Sequence, residues 1–240
     1  MTALFDYPKN AEFGRIVAKR KIFERVKPNR KLQDAFASQV KKIVWRYKLS
    51  PKTINLAETD NIKEIEIFEL LLKTPPPKKE KFDTKILHCI DKAIGHPIIF
   101  HLIRSDADGE NSIKVVATYK RPSEADTTKW VVDNAYFETD WLLGKSARPK
   151  LPVVLNLSGL YETLLRELIP LDSRKDEGLD AHIERMGQVL AKGKEYGKLE
   201  TRMSKEKQFN RKVEMNAALR VLGDEIENLK QSQEHKERQQ

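Results

Sequence analysis

The sequence predicts an α+β protein: a mixed or antiparallel sheet of about four to five strands covered by helices, with a C-terminal helical, coiled-coil-like extension. Strand-like runs gather between Glu64 and Thr139, helical periodicities flank those runs instead of following each one, and no proline occurs from Leu179 to the end.

The elements follow in order. Within Lys31 to Val44, residues Leu32, Phe36, Val40 and Ile43 recur at helical spacing, and Pro51 limits the run; "IVWRYKL" either continues this helix or begins a strand. "EIEIFELLL", Glu64 to Leu72, alternates and then turns wholly apolar, as a strand with a half-exposed start and a buried end does. Pro75, Pro76 and Pro77 exclude helix or a central ladder position, and Lys78 to Lys81 reads as a solvated connector. Phe82, Ile86, Ile90 and Ile94 mark a one-sided helix that Gly95 stops. "HPIIFHLI", "SIKVVATYK" and "KWVVDNAYFET" are three strands, the first two joined by the turn "SDADGENS".

After "LLGKSARPKLP" the composition shifts. "LSGLYETLLREL" is a short amphipathic helix ended by Pro170, and "DSRKDEG" is a linker. Ile183, Met186 and Leu190 begin a helix that Gly187, Gly193 and Gly197 weaken, so a hinge is expected near Gly193. Glu206 to Lys230 reads as one helix with a narrow seam: Met215, Leu219, Leu222, Ile226 and Leu229. The expected division is an α+β domain over residues 1–150, a helix and linker over 151–178, and a helical tail over 179–240.

Of 240 residues, 39% are hydrophobic and 34% charged, enough for one core and much solvated surface. No apolar stretch approaches the roughly 20 residues that span a bilayer, so no membrane role and a cytoplasmic location are expected. A single cysteine, Cys89, excludes an internal disulfide. Met1 to Lys52 hold fourteen Lys and Arg against four Asp and Glu, a balance of +10, which leaves −1 for the rest of a chain of net charge +9. Lys19, Arg20, Lys21, Lys41, Lys42, Arg46 and Lys48 are therefore the candidates for binding nucleic acid or an acidic partner, with Trp45 and Tyr47 interleaved among the last of them.

Sequence spacing offers little chemistry. Glu64, Glu66 and Glu69 followed by Lys73 suggest a metal-dependent nuclease, but alternation puts Glu64 and Glu66 on one face, read as solvated, and Glu69 on the other. Glu69 is in phase with Ile65 and Ile67, so a buried ion pair with Lys48 or Lys120 is expected of it. His96 and His101 would point to opposite faces of a strand, and no zinc pattern or glycine-rich phosphate loop occurs. No catalytic residue, metal site or cofactor is assigned.

"IVWRYKLSPKTINL", "EIEIFELLLK", "CIDKAIGHPIIFHL", "ATYKR", "YFETDWL" and "KEKQFNRKVEMNAALR", in that order, resemble the bacterial DUF4391 family, a domain of unknown function. The resemblance implies no catalytic residue. It implies a context: small accessory proteins beside helicases and DNA methyltransferases in phage-defence and restriction clusters. The expectation is a non-enzymatic adaptor that binds a helicase or methyltransferase through its C-terminal helix, with contact to DNA through the basic N-terminal segment and self-association through the tail both left open. Phe209, Asn210, Arg211 and Val213, together with the seam, would form the partner-binding helix. A metal-dependent nuclease and a free-standing nucleic-acid-binding module are the alternatives.

Overall fold

The computed structural model describes residues 3–73, 82–105, 110–126 and 128–231. The triple-proline connector and the centre of the "SDADGENS" turn lie outside them. The chain forms two compact units, Met1–Leu168 and Ile169–Gln240. Among the described residues no helix is long and apolar enough to cross a membrane.

The first unit is built on one mixed sheet, so the α+β class holds, with more strands than expected. Its path runs β1 (Glu12–Ile16), β2 (Val40–Leu49), β3 (Ile65–Leu72), β4 (Ile98–Ser105), β5 (Asn111–Pro122) and β6 (Trp130–Glu138), with the short β7 (Leu142–Leu143) also paired to β5. Only β3 and β4 run parallel, and the crossover between them carries α4 (Lys85–Ala93). A parallel pair needs such a crossover, and it covers one face of the sheet.

That face also carries α1 (Lys19–Val26) and α2 (Arg30–Gln39), and Ile22, Phe36, Phe68, Ile86, Ile90 and Phe100 meet there in the main core. The first turn of α2 is capped by Asn29, whose side chain accepts from the Leu32 N–H at 2.9 Å. On the opposite face Tyr7 packs on the His101 ring, and Tyr119 stacks on Tyr161 of α5 (Leu157–Arg166). A single turn, α3 (Pro51–Ile54), follows β2 with proline at its start.

Three elements differ from expectation here. The periodic run from Lys31 is helical only to Gln39; from Val40 the β-branched and aromatic residues pair with β3, so Val40 and Ile43 are strand residues. α1 and β1 carried too little apolar periodicity to be read at all.

The second unit is a helical hairpin of α6 (Leu179–Lys205) and α7 (Phe209–Lys230). α6 runs unbroken through Gly187, Gly193 and Gly197; the expected hinge is absent, and the chain turns instead at Glu206–Gln208, where the Glu206 carboxylate accepts from the N–H groups of Lys207 and Gln208. The two helices are antiparallel: Lys192 pairs with Glu225 at 2.6 Å and the Tyr196 ring approaches Gly223. Met215, Leu219, Leu222, Ile226 and Leu229 are the less exposed residues of α7, with Leu219 buried, whereas Phe209, Asn210, Arg211 and Val213 are exposed. Two arginines close the C-terminus of α7. Arg185 donates to the Leu229 carbonyl and Arg174 to those of Asn228 and Gln231, supplying donors that the helix end lacks.

Candidate metal centre

The amino ends of the parallel strands β3 and β4 lie side by side, with Glu66 registered against Ile98. Glu64 and Glu66 enter from the β3 end, and His96 enters from the four-residue connection between α4 and β4. One ligand atom from each lies within 4.8 Å of the others. The site is assembled by the crossover, which returns the chain to the same end of the sheet thirty residues after Glu66.

Each of the three residues is held from behind. The Trp45 indole N–H donates to Glu66 Oε2 at 2.7 Å. The Lys48 ammonium pairs with Glu64 Oε2 at 2.7 Å. Lys120, fully buried, donates to the carbonyls of Asp91 and His96, at 2.7 and 2.8 Å, and to that of Ile94. Those are the last carbonyls of α4 and the one beside the histidine ring, so the lysine both closes the helix and fixes the His96 backbone. Outer partners that orient each ligand are the usual support of a metal site.

What remains inside is unsatisfied. Glu66 is fully buried, and among the described residues its Oε1 and the buried Nδ1 of His96 have no hydrogen-bond partner. Orphaned buried polar atoms are costly, and two carboxylates beside an imidazole make a donor set suited to manganese, iron or zinc.

Protonation follows the same geometry. Burial pushes the Glu66 carboxyl up to about 8; the Trp45 N–H opposes this and the Glu64 carboxylate adds to it. Glu64 stays below the usual range: burial raises it, but Lys48, Glu66 and His96 outweigh that effect. Burial also lowers His96, helped by Lys120 and Lys48, so its imidazole is neutral and able to ligate at neutral pH. Without a cation, Glu66 therefore carries a proton.

The placement of Glu66 corrects the sequence reading, which set it outward with Glu64. β3 is covered on both faces, so alternation along it does not separate a wet face from a dry one. Glu69, expected on the buried side, is partly exposed and lies 3.7 Å from Arg46. Nor do the expected partners meet it: Lys48 pairs with Glu64, and Lys120 lies 3.8 Å from Asp91. Lys73 stands at the other end of β3, seven residues past Glu66 and about 23 Å along the strand from it.

The basic residues scatter. Lys19 donates to the carbonyls of Phe36 and Val40 and closes α2; Arg20 pairs with Glu24; Arg46 pairs with Glu12 and Glu69. Lys21, Lys41 and Lys42 are exposed.

A carboxylate–histidine cluster at the amino end of the central parallel strands of an α+β sheet defines a class of site, not a particular reaction. The chain belongs to the DUF4391 family, a domain of unknown function, whose model matches residues 5–226. Neither a curated protein nor a solved structure matches it.

Proposed function

We propose that this protein binds one divalent transition-metal ion through Glu64, Glu66 and His96, and uses it as a Lewis acid toward a phosphate-bearing substrate. The observation that carries the reading is that Glu66 and His96, whose buried Oε1 and Nδ1 have no hydrogen-bond partner among the described residues, bring one ligand atom each to within 4.8 Å of a second carboxylate, that of Glu64. A cation there would lower the pKa of bound water and polarise a phosphoryl oxygen. The net charge of +9 favours an anionic substrate, and Lys48 beside Glu64 places an ammonium at the edge of the site. Nucleic acid is the substrate class that this charge suits best.

The test is calorimetric titration with Mn²⁺ and Zn²⁺. One ion per chain is expected, with affinity reduced at least tenfold in Glu66→Gln and His96→Ala. No binding, or equal binding by both variants, would mean that the two glutamates simply share a proton. Metal-dependent cleavage of DNA or RNA, lost in Glu66→Gln, would support the hydrolytic part; binding without cleavage would leave the centre standing and remove that part.

A second reading has its own support. Phe209 is 78% exposed and Val213 52%, one helical turn apart at the start of α7, on a helix whose seam already faces α6. That ridge suits an adaptor bound to a helicase or methyltransferase subunit. A Phe209→Asp, Val213→Asp double variant of the full chain is expected to lose that subunit in co-purification and keep its helical content.

A further inference from the structure

The opposite, carboxyl end of the β3–β4 pair carries a second feature that the metal centre does not use. A cavity of about 390 Å³ opens there between the ends of β3, β4 and β5 and the first turns of α4. In sheets with parallel crossovers, this is the side on which the strand ends and the start of the crossover helix leave room for a ligand. The volume is that of a small-molecule site.

The cavity has an apolar wall and a cationic one. Leu72, Leu102 and Trp141 supply flat apolar surface, and Lys73, Arg104 and Lys114 supply charge. The Arg104 guanidinium lies 4.2 Å from the centre of the Trp141 ring, and the Lys114 ammonium lies 5.6 Å from it. Glu138 is the one carboxylate among the described lining residues, and it is bound to Lys114 at 2.6 Å. Lys73 is exposed at the rim, and its charge is felt nearby: the Lys19 ammonium is lowered by burial and then by Lys73. Like charges gathered beside an apolar wall attract an anion that also brings apolar surface.

We propose that this cavity binds a small anion with a flat ring system, its ring against Leu72, Leu102 and Trp141 and its phosphate or carboxylate toward Lys73 and Arg104. The Trp141 face presents the cation–π pair that a planar ligand extends by stacking. Cations and apolar wall are both required: a bare anion gains no burial, and an uncharged ring gains nothing from the positive charge of Lys73 and Arg104.

The test uses 1-anilinonaphthalene-8-sulfonate, a flat aromatic anion, titrated into the full chain with fluorescence detection. One saturable site is expected, weakened at least tenfold in Lys73→Glu and in Arg104→Gln and unchanged in His96→Ala, which lies at the other end of the strands. Lys73 is exposed, so its replacement leaves folding intact even if Arg104→Gln does not. Adenosine monophosphate and 2-naphthoate are then added as competitors, the first carrying a phosphate and the second a carboxylate. Displacement by either one assigns the anionic group, while inorganic phosphate alone is expected to displace nothing. Absence of a saturable site, binding equal in wild type and Lys73→Glu, or displacement by neither ring-bearing competitor would overturn the proposal. The metal titration is independent of every one of these outcomes.

Discussion

Two buried cations close two helix ends in this molecule, and they leave their carboxylate partners in opposite states. In the second unit Arg185 grips Glu177 with both arms of the guanidinium, at 2.7 Å each, while it donates to the Leu229 and Asp172 carbonyls. Glu177 is driven down to about 2, chiefly by that pairing, and the group is fully ionised. In the first unit Lys120 spends its three protons on carbonyls, and its nearest approach to the Asp91 carboxylate is 3.8 Å. Burial therefore wins over Lys120 and the Tyr136 hydroxyl, and Asp91 rises to about 7. The same task is done by a planar fork that serves carboxylate and carbonyls together, and by an ammonium that must choose. The second solution leaves uncompensated polar groups beside His96 and Glu66, where the candidate metal centre stands.

Substituting the two cations separates the cases. Arg185→Met takes the guanidinium from an ionised, partly buried Glu177 and from the Leu229 and Asp172 carbonyls, and is expected to cost about 3 kcal/mol. Lys120→Met is expected to cost less, about 1–3 kcal/mol, because Asp91 can take up a proton while only the carbonyls lose their donors. All three tryptophans, Trp45, Trp130 and Trp141, belong to the first unit, so their fluorescence follows it in urea while circular dichroism follows the helices of both. A larger loss in Lys120→Met would break the comparison.

Lys120→Met should also weaken Mn²⁺ binding, by about 10- to 100-fold, since the lysine fixes the His96 backbone. Unchanged affinity would remove it from the support of the site.

The pH response differs between the two regions in sign. Glu177 is lowered from its ordinary value, so its stabilisation is complete above about pH 4.5 and is lost as pH falls toward 2. Glu66 and Asp91 are raised to about 8 and about 7, so the folded metal-free chain holds protons that the unfolded chain releases from about pH 4 upward. Their contribution falls as pH rises through that window. Metal must displace the Glu66 proton, so affinity should climb close to tenfold per unit between pH 6 and about 8, then level off. A flat profile in calorimetry at several pH values would show that Glu66 is already ionised.

The smallest effect belongs to Glu69. Its contact with Arg46 is long and partly exposed, and Glu69→Ala is expected to lower stability by about 0–1 kcal/mol in thermal melts. A loss near that of Arg185→Met would restore the buried ion pair that strand phase suggested.

The sequence by itself determined the elements whose periodicity answers to one core. The four-residue spacing of Phe82, Ile86 and Ile90 gave α4, the apolar runs gave β3 to β6, and the narrow seam of α7 was legible because it faces a single neighbour, α6. Strand phase failed at Glu66 because β3 is covered on both sides, so alternation carries no information about which carboxylate is dry. Gly193 suggested a break that packing along α6 does not need. Only the tertiary structure decided the candidate sites. The parallel crossover brings His96 to the amino end of β3 and leaves the cavity at its other end, and Lys120 reaches α4 from β5; each is a meeting of residues about 25 or more apart in sequence, for which no local spacing can be a signal.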